Sequence, residues 1–235
     1  MLKHCSCIKI STLAHQVQSL VRITTSAMRR TKEDSEKTRQ TILDSAERLF
    51  LERGVSNTSL EQIAKAAGVT RGAVYWHFQN KAHLFNDLLN QVRLPPEQLA
   101  LRLSGCGGHD PLQSLFDLCV EVVENLARDE QRRRVFTILL QRCEFTDELR
   151  DAELRHNAFI RQFIDLCEQL FSNDVCRQRL MPGVTPRLAS RAVHGMILGL
   201  FSDWLRDPEL FDPLQETAQL FDPLFRGLIR DWGAA

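Results

Sequence analysis

The sequence has no long apolar run, no paired-cysteine motif and no internal repeat, and each absence excludes a class of protein. Its longest uncharged apolar stretch covers only residues 192–202, whereas a helix needs about 20 apolar residues to cross a bilayer. The seven cysteines include no CxxC pair, and 235 residues can build a core without crosslinks. We therefore expect no disulfide scaffold, a reducing cytoplasmic setting and no membrane partner.

Sequence motifs of the common enzyme classes are also absent. The chain has no GxSxG, HExxH, P-loop or dinucleotide-binding glycine motif, and His109, His156 and His194 stand isolated in the sequence. Isolated histidines are more often surface or core residues than catalytic ones. We therefore expect no enzyme activity, no cofactor and no bound metal.

Lysine is missing from the C-terminal part of the chain. All six lysines lie at or before Lys81, and the balance of 30 basic and 30 acidic residues hides two unlike segments. Residues 1–90 carry a net charge of +5, and residues 91–235 carry −5. A basic segment next to an acidic one points to nucleic acid, or another anionic partner, for the basic one.

Residues 1–27 contain no acidic residue and precede Met28, where a dense charged segment begins. We interpret them either as a disordered arm or as the result of a start codon assigned too far upstream, in which case Met28 is the natural first residue. The absence of acidic residues leaves a transit peptide as the alternative. Lys3, Lys9 and Arg22 supply three of the five positive charges, so the basic segment has a charge of only +2 without them.

The spacing of apolar residues is helical along the chain, without the two-residue alternation of strands, so we predict an all-α protein. Thr58 and Glu61 have the spacing of a capping box at the start of a short helix. Gly68 supplies a left-handed turn after that helix. Thr70 then caps a helix over residues 71–77. Later helices are predicted from 81 to about 93, from 147 to about 171, over 186–206 and over 213–230.

The two short helices around Gly68 have the arrangement of a helix-turn-helix. Val69, Val74 and Phe78 face inward, which leaves small, hydroxyl-bearing, aromatic and cationic residues on the outward face. The outward residues are Thr70, Arg71, Gly72, Ala73, Tyr75, Trp76 and His77. Arg71 can bond to guanine edges or phosphate. The residues alone also permit a generic helical corner in which Tyr75 and Trp76 belong to the core.

Residues 37–85 read KTRQTILDSAERLFLERGVSNTSLEQIAKAAGVTRGAVYWHFQNKAHLF. This segment resembles, without a gap, the N-terminal domain of the TetR family of bacterial transcriptional repressors, and AAGVTRGAVYWHFQNK is its most specific part. Two further segments resemble the multidrug-efflux-pump repressors of that family. They are RCEFTDEL at residues 142–149 and MRRTKE at residues 28–33.

The resemblance implies a homodimer that places two recognition helices in successive major grooves of a double-stranded operator, roughly 34–36 Å apart. It implies a three-helix DNA-binding domain over residues 28–83 and a helical ligand-binding and dimerisation domain over residues 84–235. DNA contacts would come from the outward residues named above, and phosphate contacts from Thr58, Ser59 and Lys81. Three further basic residues lie near the start of this domain, namely Arg29, Arg30 and Lys32. They either contact the DNA backbone or minor groove, or belong to a solvated tail.

The resemblance also implies a cavity for a small-molecule effector in the C-terminal domain. Three apolar helix faces can line it, although each residue can equally be ordinary core. The candidates are Phe116, Cys119, Val120, Phe136, Leu140, Cys143, Ile197, Leu198, Phe201 and Trp204. Some efflux-pump repressors have polar or acidic residues at the positions of Phe136, Leu140 and Leu198. The apolar residues here predict a hydrophobic effector and argue against polyhydroxylated ligands.

The helices at 186–206 and 213–230 are the expected dimer interface, where Gly195 and Gly199 allow close approach. We expect the effector to change the spacing of the two recognition helices through the helix that follows Asn80. These features predict a ligand-released repressor of an efflux-pump operon. The alternatives are a TetR-type regulator of another operon, including an activator, and a thiol-based sensor in which Cys5 and Cys7 form a candidate metal or thiol site.

Overall fold

The computed structural model describes residues 32–94, 96–103 and 110–233. Within them the chain forms α-helices, a 3₁₀ turn at Asp147–Leu149 and one isolated antiparallel bridge between Leu180 and Ile229, and it has no β-sheet. The predicted all-α fold is confirmed. The predictions for residues 1–27, including Cys5 and Cys7, and for Arg29 and Arg30 lie outside the described residues.

Four helices form the N-terminal part of the described chain. They are α1 (residues 32–53), α2 (Leu60–Ala67), α3 (Arg71–His77) and α4 (Lys81–Asn90). Thr70 Oγ1 accepts a hydrogen bond from the amide of Ala73 at 3.2 Å, and Asn80 Oδ1 accepts one from the amide of His83 at 2.7 Å. Gly68 joins α2 to α3 with a φ of +67°, a left-handed conformation that glycine adopts without the strain a Cβ would cause. The predicted caps and turn are confirmed.

The start of α2 differs from the predicted one. Ser59 is the N-cap residue, because its Oγ accepts from the amide of Gln62 at 3.2 Å and the Gln62 side chain accepts from the Ser59 amide at 2.8 Å. Thr58 is buried, and its hydroxyl donates to the Gly54 carbonyl at 2.9 Å. The predicted capping box of Thr58 and Glu61 is wrong. Both pairs have the required spacing, and the burial of Thr58 decides between them.

Seven more helices complete the described chain. They are α5 (Pro96–Leu103), α6 (Pro111–Arg128), α7 (Glu130–Gln141), α8 (Arg150–Ser172), α9 (Asp174–Gln178), α10 (Pro186–Arg206) and α11 (Pro213–Leu228). The bounds of α10 match the prediction, whereas α4 ends at Asn90 and α8 begins after the 3₁₀ turn. In the part of the chain that is described, no helix has the length and apolarity needed to span a membrane.

Buried apolar side chains form two clusters. One lies among α6, α8, α10 and α11 and includes Phe171 and Phe221. The other underlies α1 to α4 and includes Phe50 and Phe85, but it also takes in Ile138 of α7 and Leu149. The predicted domain boundary after residue 83 therefore falls inside α4, whose side chains pack in the N-terminal cluster. Helix α4 also contacts α7 and α8, so it packs against both parts of the described chain.

Candidate DNA-binding face and ligand cavity

Helix α3 presents an exposed face that is rich in aromatic side chains. Trp76 is 73% exposed and Tyr75 is 45% exposed, whereas Val74 and Phe78 are fully buried. Thr70, Arg71 and Gly72 are exposed as well, and Ala73 and His77 are half-buried. The structure thus places all seven predicted recognition residues on or beside the outward face. Neighbouring aromatic side chains in water indicate a surface that a partner covers.

Arg71 and Tyr75 form a pair one helical turn apart on this face. An Arg71 guanidinium nitrogen donates to Tyr75 Oη at 3.3 Å, and its Cζ lies 5.4 Å from the centre of the Tyr75 ring. These contacts hold the long arginine side chain outward and reduce the conformational freedom that it would lose on binding. Ser59 is exposed and lines the same shallow surface hollow as this pair.

The side chains of Thr58 and Lys81, both predicted to contact phosphate, are buried at 1% and 3% exposure. Lys81 Nζ donates to the backbone carbonyls of Thr58 at 3.1 Å and Ser56 at 3.4 Å, and it forms an ion pair with Glu148 at 2.8 Å. These partners occupy the ammonium group, so the placement of Lys81 does not fit a side-chain contact with phosphate. Lys81 instead links the first turn of α4 to the loop before α2.

The same loop also contacts the segment of residues 142–149. The amide of Val55 donates to the Arg142 carbonyl at 2.9 Å, and Ser56 Oγ donates to the Glu144 carbonyl at 3.4 Å. A Cβ at Gly54, where φ is +83°, would lie 3.2 Å from the Arg142 carbonyl oxygen. We call residues 54–58, Lys81 and residues 142–149 the α4 tether. It joins the loop that precedes the helix-turn-helix to the C-terminal part.

A cavity of about 160 Å³ lies at the meeting point of α5, α6, α7, α8 and α10, beneath the residues that follow α4. Its walls are mainly apolar, which is typical of small-molecule sites. Five of the ten predicted residues line it, namely Phe136, Leu140, Ile197, Leu198 and Phe201. The rings of Phe136 and Phe201 meet edge to face, with their centres 5.0 Å apart.

The other five predicted residues do not line the cavity. Phe116 packs against Phe225 and Trp232. Cys119 and Trp204 are buried in the C-terminal cluster, and Val120 packs against the same cluster. Cys143 packs against the N-terminal cluster. Helix α6 instead turns Leu118 and Val122 toward the cavity. Since α6 is apolar over a wide arc, the sequence could not show which of its sides faces a cavity and which faces another helix.

Sequence reasoning missed the polar residues of the wall, because charged side chains were not expected in an apolar site. An Arg93 guanidinium nitrogen lies 2.5 Å from His156 Nδ1, and Arg93 Cζ lies 4.7 Å from the centre of the Phe159 ring. Burial, with smaller effects of Arg93 and His194, lowers the pKa of His156 to about 4. The imidazole is therefore neutral at pH 7 and accepts the hydrogen bond from Arg93.

The four cysteines in the described part of the chain carry free thiols, of which Cys119, Cys167 and Cys176 are buried and Cys143 is half-buried. Burial raises the pKa of Cys143 to about 11 and of Cys167 to about 12, and it raises the pKa values of Cys119 and Cys176 as well. The thiolate is the reactive form, and a raised pKa keeps it scarce at neutral pH.

We therefore expect iodoacetamide to leave these four thiols unmodified in the native protein at pH 7.5. Mass-spectrometric mapping after brief labelling measures the modified fraction at each cysteine. The same labelling of denatured protein, where all seven cysteines of the sequence react, is the control. Rapid modification of Cys143 in the native protein would instead support the thiol-sensor alternative.

Two family models together cover most of the chain. Residues 42–88 match bacterial regulatory proteins of the tetR family, and residues 110–229 match the C-terminal region of MAATS-type transcriptional repressors. The chain is 37% identical to the HTH-type transcriptional regulator AcrR of Shigella flexneri over 80% of its own length and 88% of that protein. It is 35% identical to TtgR of Pseudomonas putida over 83% and 93% of the two lengths.

Solved structures show the same architecture. NalD, the secondary repressor of the MexAB-OprM multidrug efflux pump in Pseudomonas aeruginosa, is 69% identical with a TM-score of 0.82, covering 85% of this chain and all of that one. SmeT in complex with triclosan is 30% identical with a TM-score of 0.70, covering 83% and 93% of the two chains.

Proposed function

Because the chain belongs to the TetR family of bacterial regulatory proteins, we propose that it represses a multidrug efflux pump operon and is released from its operator by a hydrophobic small molecule. The observation that carries this proposal is the exposed α3 face on a helix-turn-helix that is tied to a domain with an apolar cavity. The relation to NalD, the secondary repressor of a multidrug efflux pump in Pseudomonas aeruginosa, supports this choice of operon. The cytoplasm, where bacterial DNA lies, is the expected site of action.

In this proposal α3 enters the major groove of double-stranded operator DNA. The contacts come from Ser59 and from the seven outward residues, Thr70, Arg71, Gly72, Ala73, Tyr75, Trp76 and His77. A homodimer supplies two such helices, with centres roughly 34–36 Å apart on one side of the duplex. The buried Lys81 and Thr58 set the position of α2 and α4 instead of touching phosphate with their side chains.

The dimer would form through α10 and α11. Leu188 and Leu214 are 58% and 49% exposed on these helices. No heavy atom that the structure describes lies within 4 Å of a Cβ built on Gly195 or Gly199, apart from the local backbone. The face around both glycines is therefore open, and the backbones of two α10 helices can approach closely there. Packing of α10 and α11 on their symmetry mates buries these apolar residues.

The small size of the cavity suggests how a bound ligand would release the protein from its operator. Drug-sized ligands occupy pockets of roughly 300–1,000 Å³, whereas this cavity measures about 160 Å³. A ligand of that size must therefore move the walls apart, and two of the wall residues, Val92 and Arg93, lie two and three residues beyond the end of α4. Movement of α4 reaches the α4 tether through Lys81 and changes the spacing of the two α3 helices. A typical allosteric coupling of about 1–3 kcal/mol would lower operator affinity about 5-fold to 150-fold.

Selection of bound sequences from a random DNA pool by the purified full chain tests this function. We expect enrichment of a two-fold symmetric sequence whose half-sites are about 10–10.5 base pairs apart. The same selection with salt raised from 50 to 200 mM should retain only the best symmetric sites, because phosphate contacts weaken steeply with salt. Enrichment of no sequence, or of an asymmetric one only, would contradict the proposal.

A further inference from the structure

Among the described residues that line the cavity, the polar side chains are basic or neutral and none is acidic. In the described part of the wall these side chains are Arg93, Arg132, His156 and His194. The remaining wall residues are aliphatic or aromatic. The described part of the wall therefore offers hydrogen-bond donors and positive charge to a ligand, but no counter-ion for a cation.

Arg93 carries a positive charge that no described carboxylate neutralises. Its polar partner is the neutral His156 imidazole, and its flat face lies near the Phe159 ring. Burial lowers the pKa of Arg93 to about 10, so the guanidinium remains charged at pH 7. Arg93 is half-buried, and a partly desolvated charge without a described counter-ion is costly, so a ligand that supplies a negative charge offsets that cost.

Arg132 adds an unsatisfied hydrogen-bond donor to the same wall. Its Nε is buried and has no hydrogen-bond acceptor among the described residues. The Asp129 carboxylate lies 3.7 Å from that nitrogen, beyond the range of a hydrogen bond. Arg132 and Arg93 lie on different elements, so the unsatisfied Nε donor of Arg132 and the charge of Arg93 are independent features of the wall.

A surface hollow of about 430 Å³ leads toward the cavity between α4 and α8. Arg93, Leu94 and Phe159 line both the hollow and the cavity, and Arg155 lines the hollow alone. The other described residues that line the hollow include three amides and no acid. A passage lined by one sign of charge raises the local concentration of ligands of the opposite sign.

We propose that the effector is an amphipathic organic anion, with a carboxylate or phenolate on an apolar body. It enters between α4 and α8, accepts hydrogen bonds from the Arg93 guanidinium, and packs its apolar body against the wall that Phe136 and Phe201 form together. The inference rests on the proposed function and names the chemical class of its ligand. An arginine suits this task because its planar group can donate two parallel bonds to a carboxylate.

Calorimetric titration of the full chain with three probes of one shape tests the assignment. The probes are 2-naphthoate, the neutral 2-naphthamide and the cationic 2-naphthylmethylammonium. We expect 2-naphthoate to bind about 10-fold to 150-fold more tightly than the amide, as charged hydrogen bonds allow, and the cation to bind most weakly.

The variant Arg93→Met keeps an unbranched apolar side chain and removes the charge. It should lose the preference for 2-naphthoate and leave the affinity for 2-naphthamide within about 3-fold, because the amide depends mainly on apolar contacts. Arg93→Lys should keep part of the preference for the anion. Arg177→Met is the matched control, since Arg177 is exposed on α9 and does not line the cavity. Thermal melts establish that each variant is folded.

Equal binding of all three probes, binding of none, or an unchanged preference in Arg93→Met would overturn the anion assignment. Operator binding by the same preparations, measured without any small molecule, tests the proposed function separately. Intact operator binding without an anion preference overturns only this inference, whereas absence of operator binding overturns the proposed function itself.

Discussion

Replacing Arg71 with alanine is expected to weaken operator binding roughly 30-fold to 10⁴-fold while the protein stays folded. One specific arginine contact contributes about 1–3 kcal/mol, and each dimer makes it twice, so the effects of the two half-sites add. Arg71 is exposed, and its described contacts within the chain are those to Tyr75 on the same helix, so the free energy of unfolding should change little. Fluorescence anisotropy of labelled operator DNA gives the affinity.

The sequence dependence of that loss shows what Arg71 contacts. If Arg71 contacts a base, the variant should show an altered base preference at one position of each half-site. If it contacts a phosphate, the variant should bind all DNA sequences more weakly, and the slope of log affinity against log salt should be smaller by about 1 for each contact. Arg177→Ala is the control, because α9 follows the far end of the 23-residue α8, roughly 34 Å from its start at a rise of 1.5 Å per residue. If Arg71→Ala binds the operator with wild-type affinity, the assignment of α3 as the recognition helix is contradicted.

Replacing Lys81 with methionine is expected to lower the free energy of unfolding by about 2–4 kcal/mol, because hydrogen bonds to a buried charged group are worth about 1.5–3 kcal/mol. The Ser56 and Thr58 carbonyls would lose a donor that is only 3% exposed. The melting temperature should then fall by roughly 4–16 °C for a chain of this size.

Glu148→Gln is the matched comparison for Lys81→Met. The Glu148 carboxylate is 59% exposed, so its ion pair is worth at most about 1 kcal/mol, and both carbonyl bonds of Lys81 survive the change. If Lys81 instead contacted phosphate, Lys81→Met would leave the melting temperature unchanged and would reduce the salt slope of DNA binding by about 2 for the dimer. That result would reverse the structural role assigned to Lys81.

Much of the helix-turn-helix could be predicted from the sequence, because the residues that cap its helices and form its turn act locally. Thr70, Gly68 and Asn80 act within a few residues of their own positions, and the structure confirms all three. Thr58 and Lys81 could not be placed in this way. A polar side chain at the start of a helix can face solvent or turn inward. The partners of the Lys81 ammonium group lie far from it in the chain, because the Ser56 and Thr58 carbonyls come 25 and 23 positions earlier and Glu148 comes 67 positions later.

Only half of the predicted residues line the cavity, again because the sequence does not show which way a side chain faces after the helices pack. Apolar spacing identifies the helices but not which apolar arc faces empty space, so Phe116 and Leu118 looked alike in the sequence. The resemblance to efflux-pump repressors led to Phe136, Leu140 and Leu198, all of which line the cavity. Arg93 and His156 were missed because they meet only when the end of α4 packs against α8. Tertiary packing of this kind leaves no periodic signal in the sequence.

The central claim, that occupancy of the cavity releases the operator, is tested by operator affinity measured with and without each naphthalene probe at a concentration that saturates its own binding. We predict that the probe that binds most tightly raises the dissociation constant of the operator complex about 5-fold to 150-fold. By reciprocity, saturating operator DNA should weaken binding of that probe by the same factor. An operator affinity that stays unchanged while the cavity is occupied would contradict the account.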